Sequence, residues 1–372
     1  MMITSTLVKP TLLLDVKKTK RNISRMAEKT RSQKVRFRPH FKTHQSGAIG
    51  EWFRQEGVEA ITVSSVDMAR YFADNGWEDI TIAFPVNWWQ LSEIQALAQK
   101  VRLGVLVESP ETVEVLKSNL QCKVNVWIKV DVGSMRTGLR WDFPESIVEL
   151  AKMIGSLPGL DLKGILTHYS ETYGAGSLKK VQGLARQGIQ RMDSVRESLH
   201  QSGFQGIEVS VGDTPGCSLS EDFSGADEIR PGNFVFYDAE QAYFGSCQAD
   251  DIAVAVACPV VARHPERNTV IVYGGAIHLS KDYFLQNGRS TYGWVALPGE
   301  SNWGEPLEGC FVAALSQEHG VVHMAPEHLD RVRVGDWLCI LPAHSCLTVT
   351  AMRDYLTLDG EIIHTMNSCT SE

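Results

Sequence analysis

The chain has 372 residues, 43% of them hydrophobic and 22% charged, with a formal net charge of −8. That length exceeds one ordinary domain and fits a barrel of roughly 250 residues followed by a second domain of about 100. The acidic balance, with no block of five like charges, gives nucleic acid no electrostatic footprint, so the expected partner is a small molecule. The longest apolar run, Ile252 to Ala262, is interrupted by Pro259 and falls far short of the ~20 residues a membrane helix needs; it reads as a buried strand, and no membrane association is expected. Eight cysteines, at 122, 217, 247, 258, 310, 339, 346 and 369, form no CxxC pair, and Met1 to Pro10 lacks the apolar core of a signal peptide. Both features point to a reducing cytoplasm and no disulfide framework.

In chain order, Thr11 to Asp15 is a short strand, followed by a helix carrying Val16, Ile23 and Met26. A rhythm then sets in. Strand-like runs at Val35 to Arg38, Ala60 to Val63, Ile80 to Phe84, Val101 to Val107, Val124 to Val130, Leu162 to Thr167, Ile207 to Val211 and Phe234 to Tyr237 alternate with helical stretches. The helices are Gly47 to Gln55, Val66 to Asn75, Trp88 to Lys100, Pro110 to Ser118, Pro144 to Ile154 and Leu178 to Gln201; the seventh crossover, Ser218 to Asp227, is weakly helical at best. Eight strands joined by such crossovers predict a (β/α)8 barrel. An open doubly wound sheet is the alternative, although no GxGxxG follows the first strand.

Beyond about residue 245 the helical spacing gives way to alternating runs: Ile252 to Val261, Asn268 to Tyr273, Gly309 to Ser316, Gly320 to Met324, Trp337 to Leu341, Leu347 to Met352 and Tyr355 to Leu358. Gly274-Gly275 and Asp359-Gly360 read as turns. The expected organisation is therefore an α/β barrel over residues 1–244 and an all-β domain over 245–372, with the first strand near 11–15 free to join the β domain.

Reactive groups of such a barrel gather at the C-terminal ends of its strands. Those ends carry Lys42, Ser64, Ser65, Pro85, Asn87, Glu108, Arg136, His168, Tyr169, Gly212, Asp213, Thr214 and Tyr237. Lys42, just past a strand end and flanked by Arg38, His40 and His44, is the kind of lysine whose amine becomes nucleophilic; a plain surface lysine is the alternative. His344 and Cys346, two apart on an extended segment, would leave the same face, and imidazole with thiolate suits Zn2+. A bare His-x-Cys is also common without a metal.

Six segments carry a resemblance. They are Arg38-Pro39-His40-Phe41-Lys42-Thr43-His44, the run Val130 to Gly138, Leu166-Thr167-His168-Tyr169, Val209 to Pro215, Glu228 to Asp238, and Pro342-Ala343-His344-Ser345-Cys346. In order and at suitable spacing, they resemble the D-serine dehydratase and D-threonine aldolase family, the fold-type III pyridoxal 5'-phosphate enzymes related to alanine racemase, over almost the whole chain. The resemblance implies that Lys42 joins the cofactor covalently and takes the substrate's α-proton. It implies that Arg136 lies against the phenolic oxygen, a salt bridge with Asp131 being the alternative, and that Tyr169 meets the pyridine nitrogen, packing being its alternative. His168 is expected as a core or supporting residue. Gly212, Asp213 and Thr214 would hold the phosphate, with Asp213 pointing away, and Gly232, Asn233 and Tyr237 would add further contacts. His344 and Cys346 would bind Zn2+, with Mn2+ or Mg2+ as harder alternatives, and the thiolate tips the choice toward dehydration. The activity implied is a lyase that dehydrates a D-3-hydroxy amino acid, in a homodimer. The rivals are a D-threonine or 3-hydroxyaspartate aldolase, a racemase, and a cofactor carrier without catalysis.

Overall fold

The computed structural model describes residues 7–368; Cys369 and the first six residues of the Met1 to Pro10 stretch lie outside them. The chain forms two compact units. One comprises Arg25–Lys42 and Gly50–Gly232; the other comprises residues 7–24, 43–49 and 233–368.

The first unit is the barrel. Its strands follow one another around a ring in chain order: Arg36–Phe37, Ile61–Val63, Asp79–Pro85, Arg102–Val107, Val124–Asp131, Leu160–Leu166, Glu208–Val211 and Glu228–Ile229. Neighbours are parallel throughout. The ring closes just past its two-residue first strand, where His40 bridges Thr62: the Phe41 N–H donates to Thr62 O and the Thr62 N–H to Pro39 O, both at 2.9 Å. Hydrophobic runs such as VNVWIKVD are buried on both faces, as parallel strands covered by helices require. Leu106, Trp127 and Leu166 meet in a cluster of the core. The predicted crossovers appear at Gly47–Gln55, Val66–Asp74, Leu91–Ala98, Pro110–Asn119, Pro144–Gly155 and Leu178–Gln201, and caps explain their starts. Ser65, Ser109 and Ser177 each accept a backbone N–H from the first turn of the helix that follows.

Two differences from the sequence reading concern this ring. The eighth strand is Glu228–Ile229, not Phe234 to Tyr237, which instead enters a short 3-10 turn at Asn233–Val235. The seventh crossover is helical earlier than expected, at Thr214–Leu219. Glu228 explains why so short a strand holds: its fully buried carboxylate takes Arg38 Nε at 2.9 Å, Arg36 at 2.9 Å and the Ser210 hydroxyl at 2.7 Å, and Arg38 reaches on to Asp79 at 2.6 Å. Burial alone would raise the Glu228 pKa, but Arg38 and Arg36 hold it below the ordinary carboxylate range. At this end of the strands a cavity of about 1130 Å3 opens among Arg36, Arg38, Asp79, Arg102 and Lys163; no predicted site residue lines it.

The second unit is built on a nine-stranded sheet in the order Thr269–Tyr273, His319–His323, Phe311–Leu315, Gly293–Ala296, Trp337–Pro342, Val254–His264, Thr11–Leu14, Asp354–Thr357, Ile362–His364. The strand Val254–His264 pairs with three partners along its length, Thr11–Leu14, Trp337–Pro342 and Thr269–Tyr273, and this last pairing closes six strands on themselves. Thr11–Leu14 thus lies in this sheet, antiparallel to Val254–Ala257, and residues 233–244 also belong to this unit. Leu347 to Met352, expected as a strand, is part of the helix Ser345–Met352. Gly274-Gly275 leads into a one-turn helix, Ala276–Leu279, and the strands Phe284–Gln286, Arg289–Thr291, Gly293–Ala296 and Ile362–His364 had no clear signal in the sequence. Among the described residues no helix is long and apolar enough to cross a membrane.

Replacing Glu228 by Gln leaves Arg36 and Arg38 facing a neutral group. Removing one partner of a buried ion pair is costly, so Glu228→Gln should lose about 3 kcal/mol, read as a lowered urea midpoint of the barrel's unfolding. A midpoint equal to wild type would show that the pair does not hold the eighth strand.

Candidate active site

Lys42 follows the ring closure directly. Phe41 is fully buried, its ring centroid 4.9 Å from Phe53, 4.9 Å from Phe72 and 5.0 Å from Trp77. Its N–H is spent on Thr62. The backbone is therefore anchored one residue before Lys42, which is exposed. Its N–H donates to His40 Nδ1 at 3.3 Å.

His168 stands in the field of Lys42 and Arg136. Burial first, then the charges of Lys42 and Arg136, hold its imidazole well below the usual range, so it is neutral near pH 7. Its Nδ1 lies 2.6 Å from Gly212 O. A carbonyl only accepts, so Nδ1 carries the proton and Nε2 is left as an acceptor. Lys129 was not singled out in the sequence because it sits inside an apolar strand. It is buried and donates to Val130 O at 2.9 Å; burial, followed by the charges of Arg230 and Arg136, brings it down to about 8. Arg230 is buried with its Nε on the Ser210 hydroxyl at 2.6 Å. Four cationic side chains, interacting through Lys129 and His168, make a region suited to an anion. A phosphate ester with an ionised phenol, as in pyridoxal phosphate, fits that charge.

Arg136 is exposed on a loop that Asp131 shapes. The Asp131 carboxylate accepts the N–H groups of Gly133 at 2.9 Å and Met135 at 3.0 Å, and the Ser134 hydroxyl at 3.3 Å. Asp131 is therefore a loop organiser. Gly138, at φ +112, must be glycine: a Cβ there would sit 2.8 Å from the Asp131 nitrogen.

Asp213 caps the helix Thr214–Leu219. Its Oδ2 accepts from the Gly216 N–H and the Thr172 hydroxyl, both at 2.6 Å, so the carboxylate is turned into the protein. Gly212 lies against Arg230, where a Cβ would come 2.7 Å from the Arg230 nitrogen. The Thr214 N–H points to the Tyr173 hydroxyl at 3.4 Å, and the Tyr173 ring lies 6.2 Å from His168. Gly232 is buried at the end of this unit.

The placement of Tyr169 corrects the expectation that it meets the pyridine nitrogen. Leu166 joins the core cluster with Trp127, so by strand alternation His168 continues that inner face and Tyr169 points to the other. Its ring packs on Gly188 of the outer helix Leu178–Gln201, where a Cβ would clash at 2.3 Å. His168 takes the inner face in its place, with the Tyr173 ring 6.2 Å from it. Tyr173 could have been found only by folding the strand exit into the 3-10 turn Ser170–Gly174.

The remaining predicted residues lie in the sheet unit. The Asn233 amide donates to Asp238 Oδ2 at 2.6 Å and to the Ser345 hydroxyl at 2.8 Å, so its side chain is committed there. Tyr237 is buried in a left-handed turn at φ +50. His344 and Cys346 do not share a strand face, which corrects the alternation argument. His344 is the extended N-cap of Ser345–Met352, and Cys346 lies in that helix's first turn. The turn still brings the two together: against the effect of burial, Cys346 and Asp238 hold the His344 imidazole well above its usual range. Cys346 Sγ is 3.2 Å from Thr43 Oγ1. His344 Nδ1 is 3.2 Å from Asp238 Oδ2, an ion-pair contact rather than an aligned hydrogen bond. Asp238, Glu240 and His344 offer ligand atoms within 4.8 Å of one another. Imidazole, thiol and carboxylate are a donor set that fits Zn2+. Glu240 gave no signal in the sequence, and Asp238 appears there only as the last residue of the Glu228 to Asp238 segment, with no role of its own.

Residues 14–240 match the family model for the alanine racemase N-terminal domain, and residues 253–358 match a serine dehydratase domain. The chain belongs to the alanine-racemase-like family of fold-type III pyridoxal-phosphate enzymes. Within that family, the barrel joined to this second domain marks the D-serine dehydratase and D-threonine aldolase branch, whose members are lyases. The D-threo-3-hydroxyaspartate dehydratase of Delftia sp. (strain HT23) is 27% identical over 96% of both chains. Its solved structure has a TM-score of 0.89 over 98% of both, and one solved form is a cysteine-to-alanine mutant described as metal-free. The D-serine dehydratase of Dictyostelium discoideum is 28% identical over 92% of both chains, and the D-threonine aldolase of Arthrobacter sp is 24% identical over 90% of this chain and 85% of its own.

Burial raises the Asp213 pKa to about 6 against 3.8 for the free carboxyl. A raised carboxyl contributes stability that is complete below the unfolded value and is lost as pH rises through the folded one. Asp213→Asn keeps an acceptor for Gly216 and removes the charge, so it should gain on wild type, by up to ~3 kcal/mol, between pH 4 and pH 7. Urea midpoints at pH 4, 5.5 and 7 check this; a difference independent of pH would place the titration elsewhere.

Proposed function

We propose that this protein dehydrates a D-3-hydroxy amino acid, D-serine or a 3-hydroxyaspartate, to the corresponding keto acid and ammonia, using pyridoxal phosphate carried on Lys42 and a divalent metal ion held by His344 and Cys346. The observation that carries this reading is the buried thiol of Cys346 next to the His344 imidazole. It is supported by the metal-free cysteine mutant of the Delftia dehydratase.

When bound, the cofactor supplies an electron sink for the α-carbon and the metal a Lewis acid for the β-hydroxyl. The chain supplies the rest. Arg136 offers a fixed positive charge to the phenolic oxygen. Gly212, Asp213 and Thr214 form the turn for the phosphate, with Asp213 shaping it from behind; Gly232, Asn233 and Tyr237 complete the proposed contacts, the last two through backbone and hydroxyl groups. The Lys42 amine takes the α-proton as the Cα–H bond breaks. Neutral His168 keeps an acceptor nitrogen in the same region without adding a charge. The β-hydroxyl leaves as water, and the released enamine tautomerises and hydrolyses to keto acid and ammonia, so no oxidant or reductant is needed.

The carboxylates beside His344 favour a second reading. A harder donor set suits Mn2+ or Mg2+, and a base acting on the β-hydroxyl would then cleave Cα–Cβ, as an aldolase does. Racemisation and simple cofactor carriage find no such support. The proposed setting is a cytoplasmic homodimer.

Lys42→Ala should abolish the bound cofactor's absorbance and all turnover with unchanged circular dichroism. EDTA should remove keto-acid formation from D-serine and D-threo-3-hydroxyaspartate, and zinc should restore it. Glycine and an aldehyde as products would decide for the aldolase, and full turnover after chelation would remove the metal from the reading.

A further inference from the structure

Among the described residues Arg136 makes no hydrogen bond or ion pair, yet its charge is felt by both Lys129 and His168, so the guanidinium stands near the barrel's mouth with its donors unspent. An exposed side chain on a loop keeps such a place only if the backbone beneath it is held. The loop runs from Val132 to Gly138 and returns as the strand Leu139–Arg140, paired with Val130 and Asp131. Asp131 holds the first half, taking the Met135 N–H one residue before Arg136. The residue after Arg136 is held from a different strand: the Thr137 hydroxyl donates to the Glu108 carboxylate.

Glu108 follows the strand Arg102–Val107 directly, and nothing in the proposed chemistry uses it. Val107 pairs with Ile128, so Glu108 falls in step with Lys129, whose amine feels its charge. Among the described residues Thr137 is the hydrogen-bond partner of its carboxylate, and both side chains are half-buried. A hydroxyl-to-carboxylate bond is charge-assisted, and it strengthens as water is partly excluded. The loop is thus tied on each side of Arg136, to the strand end at Asp131 and to the neighbouring strand end at Glu108. Gly138 then closes it against the stem of Lys129, where a Cβ would lie 3.0 Å from Lys129 Cγ.

We infer that Glu108 is a positioning residue, which through Thr137 holds Arg136 where it faces the cofactor's phenolic oxygen. The inference rests on the proposed role of Arg136 and adds what fixes it there. The sign of the charge separates this role from a direct electrostatic one. A carboxylate near the phenolic oxygen favours the protonated phenol, so losing that charge alone lowers the oxygen's pKa; displacing a guanidinium raises it.

Two measurements on the full chain test this without turnover. Trypsin cuts after arginine, so the rate of cleavage between Arg136 and Thr137, followed by mass spectrometry, reports how firmly the loop is held. Glu108→Ala should speed that cut by ~10-fold or more, the equivalent of one lost hydrogen bond to a charged group. Glu108→Gln, which keeps an acceptor for the hydroxyl, should be cut several-fold more slowly than Glu108→Ala. In protein loaded with pyridoxal phosphate, the pH midpoint of the bound cofactor's absorbance change should rise by ~1 unit in Glu108→Ala and in Thr137→Val, and by at least as much in Arg136→Gln. Glu108→Ala cut at the wild-type rate would overturn the Glu108–Thr137 tie. Faster cutting with a midpoint that stays or falls, while Arg136→Gln raises it, would leave Glu108 a structural residue and overturn its positioning role. A midpoint that Arg136→Gln does not move would instead overturn the proposed role of Arg136, and the two failures are thus told apart.

Discussion

The barrel unit depends on two backbone hydrogen bonds, those that Thr62 makes with Pro39 and Phe41. A parallel ring needs its first and last-paired strands to meet, and here the first strand is two residues long. Closure falls to the segment just beyond it. A proline supplies the acceptor there, needing no donor of its own, and Phe41 fills the space between Phe53, Phe72 and Trp77. The consequence is chemical. The residue after the wedge is Lys42, so the contact that seals the ring also sets the base of the amine. On the other flank of the first strand the Glu228 carboxylate draws in Arg36 and Arg38, and a strand too short for its own ladder is held by charge.

The two units have opposite electrostatic characters around their candidate residues. In the barrel, burial first and then neighbouring cations lower both basic groups: Lys42, Arg136 and Arg230 help keep His168 neutral, and Arg230 and Arg136 help bring Lys129 down to about 8. In the sheet unit, Asp238, Glu240 and Asp282 push the other way: burial and Asp238 raise Glu240 to about 7. One set suits a ligand with several negative charges and the other a cation, which is the pairing that a phosphate-bearing cofactor and a divalent ion present.

The repeating part of the fold was legible because periodicity reports burial: helices such as Leu178–Gln201 carry both a serine cap and an apolar stripe, and the barrel strands are continuous apolar runs. The errors share one cause. Period and spacing describe an element only while it lasts, and the functional residues sit where elements end. At His168 and Tyr169 the strand's alternation decides which side chain enters the ring, so the histidine, not the tyrosine, comes under the influence of Lys42. At His344 the strand has already stopped, and a helix start brings Cys346 round by a different geometry. Phe234 to Tyr237 was read as a strand because its residues are apolar and aromatic, whereas the Asn233 amide, engaged with Asp238 and Ser345, bends the chain into a turn. The inward direction of Asp238 and Glu240 was hidden for the same reason, since a turn has no period to betray its inward face.

Asp213 shows how one side chain can be awkward in sequence and necessary in structure. A carboxylate in a turn proposed to hold a phosphate should repel that ligand, yet the turn needs an N-cap, and Asp is among the best. The conflict is resolved by direction: both oxygens lie inward, with Oδ2 on the Gly216 N–H and the Thr172 hydroxyl. The Thr172 hydroxyl has one hydrogen but two acceptors in range, Asp213 at 2.6 Å and Tyr169 O at 2.8 Å. A protonated Asp213 could donate to Thr172 and free that hydrogen for Tyr169 O, so the bonds survive in the neutral form. Burial, which raises the Asp213 pKa to about 6, thereby leaves the cap intact in either protonation form, and the backbone N–H groups that an anion would use stay in place.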